Sequence, residues 1–590
     1  MLTTAELDTN QSQSPSQPQP SLPDAGNSQY NTKQAVNTPV RPQSVCNRLK
    51  NITGHLKPDS RSKPTRKVVI KEQGIQVAKS RRSSKSTTSG RSLFGRRKPI
   101  PSNMPLCIRN LTSEAFTLVG VEHFEPKPIS TMSRFASNVT TTVFFAKRPA
   151  LIATEPPSGM QSASSSDVTV AIPPFTTITT DTAIESIIRL TLESQAGLPI
   201  RYTCDLPPSN SHSQHLHPLT DSPTQYSTIY TPDHLTILPP LDLSNWQSAV
   251  PSHLPLSALS LPGTHNTPTC YTALPSVRCQ AVNPADQLLH GIRFFDVRVQ
   301  PTSPGSPVLN LVHGVFPISL TGAKPLTSLL NTITAFLATH PSETVIVCLK
   351  REGPGEHTDA QLSSILRKHY LHDKEKWYTK PGIPTLGTAR GKMVLMRRFS
   401  LEEDSENIGI DAEGWQYNTK NCIANDVCVQ DFCEVLEAVN IDEKIGACCE
   451  HLGRSGALVH NHSERSEGTE RSEGIERSEG IERSEGIERS EENLEVQERQ
   501  ATEATKLHLN FLSASNFWRV GCWPEKIAAR VNPAVVRFLC VEHVVGEKEG
   551  DWSTGVVVCD WVGADGDWDL VKVIVGMNEK LLWKIRQSGG

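Results

Sequence analysis

LSALSLPGTHNTPTC (256–270), LLHGIRFFDVRV (288–299) and VLNLVHGVF (308–316) are three apolar runs, each carrying ionisable residues where an apolar strand should end. His265 sits in a Gly-Thr-His-Asn turn. Asp296 and Arg298 lie two apart in an aromatic run, and His313 closes the third run before Gly314. Successive strand residues alternate faces, so Asp296 and Arg298 point the same way. Two histidines with an acid and an arginine suit in-line displacement at a phosphodiester. One imidazole takes a proton from the attacking hydroxyl and the other gives one to the leaving oxygen. A guanidinium neutralises charge building on the phosphoryl oxygens.

The pattern continues outward from this stretch. From about residue 244 strand and helix signals alternate. Strands are predicted at 256–261, 292–299, 308–313, 343–349, 392–399, 507–513 and 554–561. Helices are predicted at 281–290, 325–339, 358–370, 432–450, 524–530, 533–541 and 568–576. Such repeated units imply a parallel barrel or a doubly wound sheet. Lys350 ends TVIVCLK and Arg398 ends KMVLMRR, each on one face of its strand. Polar chemistry at strand ends favours a barrel with its site on the C-terminal rim.

The rest of the chain reads differently. At 590 residues it should hold two or three folded units. A hydrophobic fraction of only 37% and 43 Pro imply long unpacked stretches. Residues 1–100 are predicted to be disordered, and 46–100 carry 16 Lys+Arg against Asp59 and Glu72. That basic stretch is read as a solvated tail, an attachment to anionic lipid or, less readily, a nuclear or nucleic-acid contact. Residues 101–243 contain β-branched runs at 106–124, 140–146 and 166–180 and read as a β-rich domain of unknown role. Residues 463–500 repeat ERSEGI with 13 Glu and six Arg. A period of six fits neither helix nor heptad, so this is predicted to be a solvated insertion within the 244–590 domain. The 14 Cys show no CxxC pair, which argues against zinc-finger or disulfide scaffolds and fits a reducing compartment. No stretch reaches membrane-spanning length, so a cytoplasmic protein with peripheral membrane contact is expected.

Residues 256–400 resemble the X region of phosphatidylinositol-specific phospholipases C of the bacterial, metal-independent type. The resemblance rests on LPGTHNT, QLLHGIRFFDVRV, LVHGVF, PSETVIVCLKRE and ARGKMVLMRRFS. It continues more weakly through VCVQDF, LHLNFLSAS, ARVNPAVVRFL and VVVCDWV. It implies a distorted TIM-type (β/α) barrel, with no cofactor and no bound metal. It also implies that His265 is the general base on the inositol 2-hydroxyl and His313 the general acid on the diacylglycerol oxygen. Asp296 would be the acid beside them, Arg298 the phosphate contact, and Asp560 the partner of His265. Lys350, Arg398 and Asp431 would line the inositol pocket. Asn266 is the residue type of the calcium-dependent relatives, at a position where the bacterial type usually has Asp. Cys433 stands where an aromatic ring is expected. The implied substrate is phosphatidylinositol at a membrane surface, cleaved to diacylglycerol and a cyclic inositol phosphate, with no nucleic-acid partner. The alternatives are a phosphodiesterase for another headgroup or a glycerophosphodiester, and a non-catalytic lipid-binding scaffold.

Overall fold

A computed structural model describes residues 104–124, 164–303, 306–460, 500–544 and 550–588, apart from short gaps at 185–186, 196, 198 and 209–212. The basic segment 46–100, the run 140–146 and all but Gln500 of the 463–500 repeat lie outside the described residues.

Among the described residues, eight parallel strands form the ring of the larger unit, and a ninth short one, Trp377–Tyr378, pairs parallel at its edge. The eight are β1 (Leu261–Thr264), β2 (Phe294–Pro301), β3 (Val345–Arg351), β4 (Met393–Arg398), β5 (Ile410–Asp411), β6 (Val427–Gln430), β7 (Leu507–Phe511) and β8 (Val556–Cys559). Each pairs with its sequence neighbour from β1 to β5 and from β6 to β8, and β8 returns to pair with β1. Between β5 and β6 the ring is joined by one backbone bond, Asp426 N to Asp411 O at 3.0 Å, rather than a ladder. The sheet is thus a barrel type that is incompletely stitched at one seam. Runs such as Val345–Leu349 and Val556–Cys559 are buried at every position, as expected for strands covered on both faces. β1 and β2 approach so closely that a Cβ on Gly263 would lie 2.9 Å from Phe294 Cβ.

Helices cover the outside through narrow apolar stripes. In α1 (Leu326–Thr339), Leu326, Leu329, Leu330, Ile333, Phe336 and Leu337 are buried at helical spacing. Arg293, one residue before β2, is fully buried against Glu343 at 2.9 Å and stacks on Phe336. The two arginines of GIRFFDVRV therefore differ in role: Arg293 braces the lower end of the barrel, and Arg298 faces its mouth.

Four expectations need correction. The helix expected at 432–450 begins at Ile441 and runs to Gly456. Residues 256–258 form a single 3-10 turn, and the strand begins at Leu261. The Leu309–His313 strand is not a barrel strand; it runs antiparallel to the far end of β2. Residues 524–541 form one helix, α2 (Pro524–Val541), straight through Pro533. An interior proline costs about 3 kcal/mol. Burial of Ile527, Val531, Val535 and Leu539 along one stripe offsets it.

The described residues between 105 and 238 form two five-stranded sheets around a core that includes Phe116, Leu190, Tyr202 and Ile237. This unit leans on the barrel's outer helices. Arg109 Nη2 donates to His543 O at 2.6 Å, and Thr236 Oγ1 donates to Cys540 O at 3.2 Å.

Buried histidines should make the barrel acid-sensitive. His508 and His543 are 2% and 0% exposed, and burial depresses each to about 4. His451, buried beside His508, is also held well below its ordinary value, by burial and then by the neighbouring His508, Arg454 and Lys444. The unfolded chain takes up protons near pH ~6.5, before these folded-state groups do. Stability should therefore be lost as the pH falls from ~6.5 towards ~4. The melting temperature should fall through that window, and the slope should flatten in the His508→Gln/His543→Gln double variant. An unchanged slope would place the acid sensitivity elsewhere.

Candidate active site

The strand ends deliver charged and polar side chains to one rim. His265 follows β1, Asp296 and Arg298 lie in β2, Lys350 is in β3 and Arg398 ends β4. Asp431 follows β6 and Asp560 follows β8. The residues after His265 and Asp560 both take left-handed backbone: Asn266 at φ 42° and Trp561 at φ 59°. Non-glycine residues adopt this region at a cost and cluster at functional sites when they do. Here the reversals turn the chain off the strand and leave His265 and Asp560 at the mouth. Gln280, fully buried, laces the two strand ends by donating to His265 O at 2.7 Å and to Cys559 O at 3.0 Å.

His265 Nδ1 lies 2.9 Å from Asp560 Oδ1, although the two residues are 295 positions apart. A carboxylate can only accept here, so the Nδ1 proton points to Asp560 and Nε2 faces the mouth. His313 Nδ1 lies 2.9 Å from the Val277 carbonyl, which likewise fixes its proton and frees its Nε2. The two rings stand 6.0 Å apart, centroid to centroid, at 89°. Burial opposes charge on His265, but Asp560 and the Cys279 thiol outweigh it and raise its pKa well above the usual value. His313 is raised as well, against burial, chiefly by Cys279.

Beside the histidines lies an anion-binding cradle. Arg298 makes a fork onto Asp296, with Nη2 at 2.9 Å from Oδ2. Its Nη1 contacts Glu352, which also holds Lys350 Nζ at 2.9 Å and accepts from Gly314 N at 2.8 Å. Arg398 reaches Asp296 at 3.7 Å and Asp431 at 3.9 Å. Asp296 is fully buried, yet the two arginines and His265 hold it at about 2. Asn266 N donates to the same carboxylate at 3.1 Å, and Asn266 Oδ1 is buried without a partner. These groups can bind a phosphoryl oxygen pair and hold two imidazoles on one phosphorus. All nine predicted site residues lie along this one mouth, in these two groups.

Sequence reasoning missed several neighbours. Glu352 stands two residues past Lys350, on the same strand face, and neutralises both Arg298 and Lys350. Its carboxyl is held well below the usual carboxylate range: burial opposes this, but Arg298 and Lys350 outweigh it. The KRE spacing could have revealed it. Trp415, far from Cys433 in sequence, stacks on Arg398 at 3.4 Å and donates its indole N–H to Asp431 at 3.3 Å. An aromatic face therefore reaches the pocket from another loop, and no local pattern announces that. Cys279 also escaped notice; it is buried beside both histidines, its Sγ 3.8 Å from His313 Nδ1.

Comparison with known proteins bears on these features. Residues 252–399 match the family described as phosphatidylinositol-specific phospholipase C, X domain. The 1-phosphatidylinositol phosphodiesterase of Listeria monocytogenes is 35% identical over 160 residues, which is 26% of this chain and 47% of that protein. The chain thus spans about half the length of that curated relative. The solved phosphatidylinositol-specific phospholipase C of L. monocytogenes covers 57% of this chain and 99% of its own, at 22% identity and a TM-score of 0.39. A Staphylococcus aureus enzyme of the same description, in a structure concerned with its membrane binding, covers 57% and 98%, at 19% and 0.42.

Proposed function

We propose that this chain, whose residues 252–399 are an X domain of the phosphatidylinositol-specific phospholipase C family, is a lipid phosphodiesterase of the phospholipase C type. The observation that carries the reading is the histidine pair: two rings 6.0 Å apart, each with its Nδ1 proton committed elsewhere, and with His265 Nε2 met only by the Asn266 side-chain amide at 3.5 Å among the described residues.

His265 takes the proton of the inositol 2-hydroxyl through Nε2, and Asp560 stabilises the imidazolium that forms. The alkoxide attacks phosphorus in line. His313 gives its proton to the departing diacylglycerol oxygen. Arg298 binds the phosphoryl oxygens and stabilises the charge that grows on them. Lys350, Arg398 and Asp431, with Asn266 close to His265, orient the headgroup. The products are diacylglycerol and a cyclic inositol phosphate. The nucleophile belongs to the substrate, so no covalent intermediate forms on the protein. Phosphorus NMR of phosphatidylinositol digests tests the reading: a cyclic phosphodiester product supports it, and release of phosphatidic acid or of no product overturns it.

The rim loops support a lipid-surface substrate. Trp518, Val439, Leu436 and Val520 are 81%, 72%, 67% and 60% exposed, on the loops that follow β6 and β7. Phe517 beside them stacks on Phe316, three residues past His313, at 5.8 Å. Such a patch buries apolar area when it meets a bilayer. The 16 cations of residues 46–100 add attraction to anionic lipid that salt should screen. Sedimentation with phosphatidylserine vesicles separates the two. Deleting 46–100 should remove the salt-sensitive part of binding, and Trp518→Ala the salt-resistant part. Hydrolysis of a soluble inositol phosphodiester should survive both changes. Unchanged vesicle binding in both variants would sink the membrane reading.

A further inference from the structure

Cys279 has no part in the chemistry just described, yet its thiol sits in the middle of it. Donor atoms of His265, Cys279 and Asp560 all lie within 4.8 Å of one another. His313 Nδ1 lies at the edge of the group, 3.8 Å from Sγ. One sulfur, one imidazole nitrogen and one carboxylate oxygen make a borderline-soft donor set of the kind that zinc takes in tetrahedral sites, with a fourth position left for water.

Two further observations separate this cluster from a chance neighbour. The carriers are fixed to each other by backbone. Trp561 N donates to Cys279 O at 2.8 Å, and Cys279 N donates to Thr269 Oγ1 at 3.1 Å. The Cys279 loop and the turn that presents Asp560 therefore move as one. In addition, Asp560 is 2% exposed and its Oδ2 is buried with no hydrogen-bond partner. An orphaned carboxylate oxygen is costly, and a bound cation satisfies it.

We infer that His265, Cys279 and Asp560 form an inhibitory site for a thiophilic divalent cation of the zinc class. The metal is a regulator here and takes no part in turnover. Binding displaces the Cys279 thiol proton and a proton from His265, whose ring must be neutral to ligate, so affinity rises with pH. It occupies a donor atom of His265 and of Asp560, the pair that the proposed mechanism needs free. The inhibition rests on that mechanism; the metal site itself does not.

The test uses the full chain, stripped with chelator and titrated with cobalt(II). One equivalent should bind with tetrahedral visible bands and a near-ultraviolet thiolate-to-cobalt band, and zinc should displace it. Cys279→Ser should abolish the thiolate band and weaken cobalt binding at least ~10-fold. Asp560→Asn should weaken it similarly, which guards against a folding defect peculiar to the serine variant. A band that persists in Cys279→Ser would assign the metal to other cysteines and overturn the site. In parallel, zinc should suppress phosphatidylinositol cleavage in the wild type, at a concentration at least ~10-fold lower than in Cys279→Ser, each measured against its own metal-free rate. Cobalt binding that depends on Cys279, without inhibition by zinc, would keep the site and overturn the role given to His265.

Discussion

His265→Ala and His313→Ala should each lower turnover on phosphatidylinositol by ~10²–10⁴-fold, the range a positioned acid or base supplies. That loss equals about 3–5 kcal/mol of transition-state stabilisation. Both imidazoles act in one step on one phosphorus, so the double variant should lose little more than the worse single one. Both variants should still fold; His313→Ala should barely change the melting temperature, whereas His265→Ala should lower it, because buried Asp560 loses its imidazole partner. The pH profile carries a second reading. His265 must be neutral to accept a proton, and Asp560 and Cys279 favour its charged form. The acid limb of the wild-type profile should therefore lie above the ordinary histidine value of ~6.5. Asp560→Asn removes the stabilising carboxylate, so the limb should move to lower pH while kcat falls. Near-wild-type turnover in either alanine variant, or an acid limb indifferent to Asp560, would end the acid–base assignment.

Arg298→Lys should be nearly as damaging, with a loss of ~10²–10³-fold in kcat despite the conserved charge. The guanidinium lies between Asp296 and Glu352 and spans both at once. A fork of N–H donors matches paired oxygens, whereas an ammonium is a single point of charge. The same cations bear on metal dependence. The resemblance to the bacterial, metal-independent type implies that Arg298 and Lys350 do the electrostatic work a metal ion would do. Activity should persist in excess chelator. Glu352 qualifies the argument, because it neutralises both cations in the free protein; substrate phosphate must compete with it for them. Arg298→Asp would gather Asp296, Glu352 and the unpartnered Asn266 Oδ1 around one point, an oxygen set suited to calcium. Calcium-stimulated turnover in that variant alone would support the substitution of charge for metal. Loss of wild-type activity in chelator, restored by calcium, would refute it.

Much of this site is legible without coordinates because strand alternation is a local rule. Asp296 and Arg298 share a face for the same reason that Phe294 does, and Lys350 and Arg398 end apolar strands that nothing but a buried sheet could satisfy. The helix stripe of residues 326–339 is read in the same way. Local rules fail where distant segments meet. No pattern links His265 to Asp560, since their pairing exists only because β8 closes onto β1. The antiparallel return of Leu309–His313 depends on β2 running past the barrel, which a strand signal cannot distinguish from another barrel strand. Pro533 marks a break by propensity, and tertiary packing overrides it. Residue types and spacing by themselves determined the strand ends and the kind of chemistry they could hold. The tertiary structure alone decided which charges are spent on one another, that Glu352 quenches Arg298 and Lys350, and that Cys279 stands beside both histidines, because electrostatic pairing depends on distance in space and not on separation along the chain.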